Sequence, residues 1–220
     1  MSLTRGLTAN IVSMSVLVLD PRWPDLISIG VAGRVRGPVI FTEEVPIAAR
    51  WNFGDLVRGE DAEGEGWLVT TDLHDPAVQE RVEAGEELVQ VSSLLDPVNQ
   101  AQRVMRAARN RGEWEMSQTH ESLLEYLEQE AAEFADAVRT EQGDEEMKKE
   151  LSDLLLQVLF HAEIANQRGA FSFADVAQAF VDKMKRRAPY LFNGSTGTVA
   201  KAEQVRLWAE GKKRELTGGE

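Results

Sequence analysis

The pattern of apolar and polar positions changes once along the chain, near residue 95. Before that point, short apolar runs are separated by glycine and proline, a pattern typical of strands joined by turns. The runs are SVLVLD, LISIGVAG, GPVIFTEEVPI and GWLVTTDL. The next segment, PAVQERVEAGEELVQVSS, predicts one short helix that ends near Gly85 and a further strand. Residues 1–95 are therefore predicted to form a small α/β domain.

From Pro97 onward the chain consists of long, nearly proline-free segments with apolar residues at helical spacing. Four long helices are predicted, in NQAQRVMRAARNRG, HESLLEYLEQEAAEFADAVRTEQG, DEEMKKELSDLLLQVLFHAEIANQRG and SFADVAQAFVDKMKRRA. Ser172 and Asp175 have the spacing of a capping box at the start of the last of these. A final short helix is predicted around AEQVRLWAEGKKRE. Residues 96–216 are therefore predicted to form an all-α domain of the helical-bundle type.

Three segments are expected to lie outside these two domains or on their surface. Residues 1–13 are interpreted as an extension, because Met14 stands directly before the first strand-like run. The acidic segment GEDAEGEG, residues 59–66, is expected to be a solvated loop, since blocks of like charge usually are. Residues 217–220 are expected to form a frayed terminus.

Composition narrows the range of partners. The 220 residues include 24 basic and 37 acidic side chains, and the formal net charge of −13 disfavours polymeric nucleic acid and anionic membranes. No apolar run approaches the ~20 residues of a membrane span. The absence of cysteine excludes disulfides, thiolate nucleophiles and zinc ribbons, and it is compatible with a cytoplasmic address. A small phosphorylated ligand remains compatible, because a metal ion can bridge it to carboxylates.

Two pairs of carboxylates on neighbouring predicted helices carry the chemistry. Glu130 and Glu133 are three residues apart, as are Glu150 and Asp153, so each pair shares one helix face. Both pairs lie beside apolar stripes, where four ionised carboxylates would repel one another unless divalent cations neutralised them. Oxygen ligands of this kind suit Mg²⁺, or Mn²⁺, better than zinc. The alternative is that these are ordinary exposed acids, and spacing alone does not decide between the two.

Longer matches to a known family bear on this choice. The segments WEMSQTHESLLEYLEQEAAEFADAV, KKELSDLLLQVLFHAEIA and FVDKMKRRAPYLF, followed by Trp208, resemble MazG-type nucleoside triphosphate pyrophosphohydrolases, an all-α family with an ExxE and ExxD carboxylate pattern. The resemblance covers roughly residues 97–213, in family order. It implies Mg²⁺-assisted cleavage of a nucleoside triphosphate between its α- and β-phosphates, with all four acids as metal ligands and catalytic groups. It also implies dimers.

One position departs from the family pattern. The usual EExxE is here Gln129-Glu130-Ala131-Ala132-Glu133, so a neutral amide replaces the first glutamate. Gln129 can hydrogen-bond a water or a phosphate, but it neither takes up a proton at neutral pH nor strongly attracts a further metal ion. Slow turnover with intact nucleotide binding is therefore one expectation.

Basic and aromatic residues are the candidates for substrate binding. Basic side chains that could bind the triphosphate lie directly before Glu150 and at the end of the following helix: Lys148, Lys149, Lys183, Arg186 and Arg187. The alternative is that they form a solubilising basic helix end. Trp208 and Tyr126 are candidates for contact with the nucleoside, because an aromatic face packs on any base. For Tyr126, simple helix packing is the more common role. His161 continues the helical stripe of Glu150, Asp153 and Gln157, and His120 lies in QTHES; both are interpreted as structural polar residues.

Two classes of function follow. The first is an Mg²⁺-dependent nucleotide pyrophosphohydrolase that clears surplus or non-canonical nucleotides. An alternative within this class keeps the same site but acts on deoxyuridine triphosphate or phosphoribosyl-ATP. The second is a catalytically weakened nucleotide sensor, in which Gln129 marks the loss of chemistry. In either case the apolar helix faces exceed what one four-helix unit covers, so a homodimer is expected. The α/β domain carries no recognisable motif, since GVAG at 30–33 is too short for a dinucleotide site.

Overall fold

A computed structural model describes residues 15–35, 37–56 and 66–216. The predicted extension at residues 1–13, nearly all of the acidic segment at 59–66 and the terminus at 217–220 lie outside the described residues. The chain divides into two compact units, and the division falls between Gln100 and Ala101. Among the described residues, no helix combines the length and the apolar character needed to cross a lipid bilayer.

The first unit contains a parallel sheet of four strands in the order β2-β3-β1-β4. The strands are β1 Ser15–Val18, β2 Val39–Phe41, β3 Trp67–Thr70 and β4 Glu87–Gln90. Every residue of β1 and β3 is buried, as expected for the central strands of a parallel sheet. The sheet residues Leu17 and Val69, which pair in register, lie in the core together with Val78 and Phe53 from the helices.

In the described part of this unit, three helices accompany the sheet: α1 Ile29–Ala32, α2 Ile47–Leu56 and α3 Pro76–Glu83. The predicted helix before Gly85 and the strand after it are confirmed by α3 and β4. The prediction of a strand in LISIGVAG is wrong, because Ser28 caps a short helix there by accepting a hydrogen bond from the Val31 amide. Short apolar runs do not distinguish strand from helix, and the same limit left α2 unpredicted.

The second unit is helical. Its elements are α4 Pro97–Arg111, which spans the division, α5 Glu113–Ser117, α6 Leu124–Arg139, α7 Asp144–Gln167, α8 Phe173–Arg187 and α9 Lys201–Leu216. The four predicted long helices are present as α4, α6, α7 and α8. The capping box is confirmed: the Ser172 hydroxyl accepts from the Asp175 amide, and the Asp175 carboxylate accepts from the Ser172 amide. The predicted final helix, α9, is longer than expected, and the short helix α5 was not predicted.

Helices α6 and α7 form a hairpin that positions the acids of the two pairs. Only residues 140–143 separate them, and Gly143 takes a positive φ of 96° directly before α7 begins. Helix α8 packs against α7 on one side and α9 on the other. The core of this unit is formed by the buried side chains of Met105, Leu123, Leu159, Phe160 and Ile164.

Candidate active site

Three carboxylates meet between α6 and α7. Glu130 from α6 and Glu150 and Asp153 from α7 place one carboxylate oxygen each within 4.8 Å of the others. The hairpin sets this arrangement, because packing α6 on α7 brings the same-face acids of each helix together. We call these three residues the acid cluster.

Burial makes the acid cluster electrostatically unfavourable by itself. Glu150 is only 4% exposed, and its Oε2 has no hydrogen-bond partner among the residues that the structure describes. Burial raises the pKa of Glu130, and the negative charges of Asp153, Glu133 and Glu150 raise it further. A buried carboxylate oxygen without a donor, next to two more carboxylates, fits a divalent cation that accepts oxygen ligands.

Glu133 lies apart from the acid cluster. Its side chain is exposed, and its Oε1 accepts a hydrogen bond of 2.8 Å from the Nε2 of Gln129. The residue at which the chain departs from the family pattern therefore contacts one of the four acids directly. Sequence spacing placed Glu133 on the same face as Glu130 but carried no information about this contact.

The lysines before Glu150 form ion pairs within α7. The Nζ of Lys149 lies 3.0 Å from the Glu150 Oε1 and 2.9 Å from the Glu146 Oε1, and both bonds raise the Lys149 pKa. Lys149 thus lies at the edge of the acid cluster. Lys148 pairs instead with Glu145.

The basic residues at the end of α8 have partners on α9 or on their own helix. Arg186 and Arg187 both donate to Glu215, the first at 3.0 Å from Nε and the second at 2.5 Å from Nη2. These contacts lower the pKa of Glu215 to about 2. The Nζ of Lys183 lies 5.5 Å from the ring centre of Phe180.

Trp208 lines a cavity of about 450 Å³ between α8 and α9. The cavity wall is mostly apolar, with Met184, Tyr190 and Val205, and the Arg187 guanidinium lies 5.2 Å from the Trp208 ring centre. Tyr126 is placed differently: its ring packs edge-on against Trp114 at 5.8 Å, on the surface of α6.

Two polar residues that sequence analysis did not assign to substrate lie further along α7. Gln157 is 4% exposed. Within the described part of the chain, its Oε1 and the buried Nε2 of His161 have no hydrogen-bond partner. His161 pairs with His120 through their Nδ1 atoms at 2.8 Å. In the sequence, helical spacing places Gln157 and His161 on the same face of α7 as Glu150 and Asp153. This spacing was the only sequence signal that connects them with the acid cluster.

The chain matches two family models in sequence. Residues 14–89 match the MazG N-terminal domain, and residues 118–192 match the MazG nucleotide pyrophosphohydrolase domain, which includes the whole acid cluster. The chain belongs to the MazG family. The first of these matches places the α/β unit in the family as well, beyond the residues on which the resemblance was based.

Curated relatives agree with this assignment. The chain is 37% identical over 210 residues to the nucleoside triphosphate pyrophosphohydrolase of Mycolicibacterium smegmatis, covering 92% of this chain and 63% of that protein. It is 35% identical to the protein of the same name from Mycobacterium tuberculosis, covering 92% and 62%. A MazG protein named nucleoside triphosphate pyrophosphohydrolase/pyrophosphatase from Thermotoga maritima is 45% identical over 49% of this chain and 42% of its own length. This MazG chain thus spans a little over three fifths of the two mycobacterial relatives.

Proposed function

We propose that this protein is a cytoplasmic Mg²⁺-dependent pyrophosphohydrolase that cleaves nucleoside triphosphates between the α- and β-phosphates. The observation that carries the proposal is the acid cluster, with three carboxylates within 4.8 Å and a buried Glu150 oxygen that lacks a donor. It lies in the segment that matches the MazG nucleotide pyrophosphohydrolase domain. Two relatives carry the name nucleoside triphosphate pyrophosphohydrolase. We further propose, from the family resemblance, that the protein clears surplus or non-canonical nucleotides.

Glu130, Glu150 and Asp153 would hold Mg²⁺ or Mn²⁺, and Glu133 could join them if its side chain turned away from Gln129. When bound, the metal would supply positive charge to the phosphate oxygens and lower the pKa of a water molecule. The protein supplies the positions: two acids from one helix and one or two from its neighbour fix where the α-phosphate lies relative to that water.

The triphosphate and the nucleoside require further contacts from the chain. Lys149 adds a positive charge at the edge of the acid cluster, and Lys183, Arg186 and Arg187 are proposed to bind the outer phosphates from α8. Arg186 and Arg187 must then exchange Glu215 for phosphate. Gln129 is proposed to hydrogen-bond a phosphate or water. The nucleoside is proposed to contact Trp208, whose cavity is mostly apolar, and Tyr126.

A homodimer is proposed as the working form. Helices α7 and α8 carry large apolar side chains that the chain leaves open to solvent: Leu151, Leu155, Leu156, Val158, Val176 and Phe180. Several exposed large apolar side chains on two packed helices are more than the scattered single residues of an ordinary monomer surface, and they favour an association site. Pairing two helical units would bury these side chains in one larger bundle.

Pyrophosphate release from a panel of ribo- and deoxyribonucleoside triphosphates, including dUTP, tests the proposal. Glu150→Gln should lower kcat by at least about 100-fold, because it removes a ligand charge from the acid cluster. Glu146→Gln is the matched control, since Glu146 binds the same lysine from outside the acid cluster and its loss should change the rate less than about threefold. Equal loss in both variants, or release without added metal, would contradict the proposal.

A second function is supported by the Gln129–Glu133 hydrogen bond. This contact holds Glu133 in a pose directed to a neutral amide, as expected of a nucleotide sensor with weakened chemistry. Under this alternative, Gln129→Glu should raise kcat at least tenfold with little change in nucleotide affinity, because a second negative charge would release Glu133 toward the metal. An efficient enzyme should gain less than about twofold.

A further inference from the structure

Three residues beyond the acid cluster form a hydrogen-bond chain whose direction is fixed. Arg168 Nη2 lies 3.3 Å from His120 Nε2, and His120 Nδ1 lies 2.8 Å from His161 Nδ1. The two imidazole rings are nearly parallel, with 4° between their planes. We call Arg168, His120 and His161 the histidine relay.

Arginine can only donate, and this decides every proton position in the histidine relay. Because Arg168 donates to His120 Nε2, the neutral His120 carries its proton on Nδ1 and donates to His161 Nδ1. His161, with Nδ1 accepting, carries its proton on Nε2. Burial and the neighbouring His120 lower the pKa of His161, which agrees with a neutral ring.

The histidine relay therefore ends in a donor without an acceptor. The His161 Nε2 is buried, and one turn earlier on α7 the Gln157 Oε1 is a buried acceptor; neither atom has a partner in residues 15–35, 37–56 and 66–216. Residues four apart on a helix are neighbours on one face. A buried donor and a buried acceptor left unpaired each cost about 1–3 kcal/mol, so their pairing with a ligand is favourable.

A hydroxyl group, on a sugar or in a water molecule, satisfies both atoms at once. A hydroxyl accepts a hydrogen bond from His161 Nε2 and donates its own hydrogen to Gln157 Oε1, whereas an exocyclic amine or a carbonyl of a base can do only one of the two. The position also fits a nucleotide. Gln157 is one turn, about 6 Å, along α7 from Asp153, and the sugar of a nucleotide follows directly from its α-phosphate.

We propose that Gln157 and His161 form a subsite for a sugar hydroxyl of the nucleotide, with His120 and Arg168 as positioning residues that fix the His161 tautomer. This inference rests on the proposed function, because it uses the acid cluster to locate the α-phosphate. Both subsite atoms are closed to solvent in the free protein, so side chains around them rearrange when the hydroxyl enters. We assign this subsite to the 3′-hydroxyl, which ribo- and deoxyribonucleotides share, and the test below is designed for that hydroxyl.

The test compares a 2′-deoxynucleoside triphosphate with its 2′,3′-dideoxy analogue on the full chain. Wild-type protein should prefer the hydroxylated substrate by about 10- to 100-fold in kcat/KM, as expected for one buried hydroxyl with two partners. Gln157→Met and His161→Phe should each reduce this preference below about threefold while retaining cleavage of the dideoxy analogue. Gln178→Met, which removes an exposed amide on α8, should keep the wild-type preference.

Each outcome of this comparison supports or overturns the subsite. Because the preference is a ratio measured within one variant, a general loss of folded protein does not change it. Wild-type preference in both subsite variants, or no preference in wild type, would overturn the inference.

A second measurement distinguishes failure of the subsite from failure of the proposed function. It is Mg²⁺-dependent binding of the same two nucleotides, measured by calorimetry. If no pyrophosphate is released but the hydroxyl preference appears in Kd and is lost in Gln157→Met, the proposed function fails and the subsite stands; if no preference appears there either, both fail.

Discussion

At the scale of single residues, repulsion within the acid cluster lowers the stability of the metal-free protein, and the same carboxylates are available to bind a divalent cation. Glu130 carries a raised pKa because burial and three neighbouring carboxylates disfavour its charged form. An acid whose pKa is higher in the folded than in the unfolded chain destabilises the metal-free fold as pH rises above its ordinary range. The same repulsion is what a divalent cation relieves.

Neutralising Glu130 should therefore separate stability from binding. Without metal, Glu130→Gln should melt up to a few degrees higher than wild type at pH 8 and show no gain at pH 4, where the wild-type carboxyl is largely protonated. With Mg²⁺ at 100 times its Kd, wild type should gain about 2.7 kcal/mol and the variant far less. Differential scanning calorimetry measures both, with the exposed Glu128→Gln as control. A variant that melts below wild type without metal at pH 8 would contradict this account.

The identity of the clustered acids could be proposed from the sequence because a period of three to four residues fixes helix faces. Glu130, Glu150 and Asp153 follow this rule. The pairing of Gln129 with Glu133, and of Arg186 and Arg187 with Glu215, could not be derived, since both depend on rotamers and on how α9 returns to α8. The histidine relay depends on a contact across 41 residues, which one sequence does not encode visibly.

At the scale of elements, the close packing of α8 and α9 shapes the cavity at Trp208. The two helices can approach this closely because Gly211 of α9 has no side chain. A Cβ added there would lie 2.7 Å from the Arg186 carbonyl oxygen and 2.9 Å from the Arg187 Cα. Both atoms belong to the backbone and cannot turn aside. The helix periodicity predicted α9, but no sequence signal marked Gly211 as the contact.

Gly211→Ala should force α9 away from α8. We expect a loss of about 1–3 kcal/mol in the free energy of unfolding, despite the higher helix propensity of alanine. The KM for nucleotide should rise severalfold, because the Trp208 cavity opens. Gly30→Ala in α1 is the matched control, since nothing lies within 4 Å of its added Cβ. Urea unfolding and initial rates report the two effects, and equal stability of both variants would contradict the packing argument.

Glu215 on α9 competes with phosphate for the basic end of α8. Glu215→Gln should free Arg186 and Arg187 and lower the KM for nucleoside triphosphate about two- to fivefold at low salt. Glu210→Gln removes an exposed acid of α9 that pairs with Arg206 of the same helix at 2.6 Å, and it should leave KM unchanged. A higher KM in Glu215→Gln would show that Glu215 orients the arginines for the substrate rather than competing with it.

The Arg186 and Arg187 contacts of Glu215 also depend on pH in a defined direction. The pKa of Glu215 falls to about 2 in the folded protein, so the stability they contribute is present above its ordinary pKa near 4.5 and is lost as pH falls toward 2. The difference in melting temperature between wild type and Glu215→Gln should accordingly disappear below about pH 2. A difference that persisted there would assign the effect to packing.

At the scale of the whole molecule, the division into a strand-rich part and a helical part could be predicted from the sequence, because the period of apolar positions differs between strands and helices. The parallel strand order β2-β3-β1-β4 could not be predicted, since it depends on contacts between distant segments. The homodimer expected from the apolar helix faces stays a prediction, and the exposed apolar side chains of α7 and α8 support it.

The dimer is tested by light scattering after size exclusion. Wild type should elute with twice its chain mass of 24.5 kDa, and Phe180→Glu should shift the protein toward monomer because a charge replaces a side chain that is 56% exposed in the single chain. Leu216→Glu, at an exposed position near the end of α9, should remain dimeric. A strict monomer in wild type would contradict the proposal.

Cleavage between the α- and β-phosphates is tested most directly by identifying the reaction products. Wild-type protein is incubated with a nucleoside triphosphate and Mg²⁺ in ¹⁸O-labelled water, and the products are followed by ³¹P NMR. We expect nucleoside monophosphate that carries the ¹⁸O label and unlabelled pyrophosphate in equal amounts, formed at least about 100-fold more slowly by Glu150→Gln. Nucleoside diphosphate and inorganic phosphate, or the same products from Glu150→Gln at the wild-type rate, would contradict this expectation.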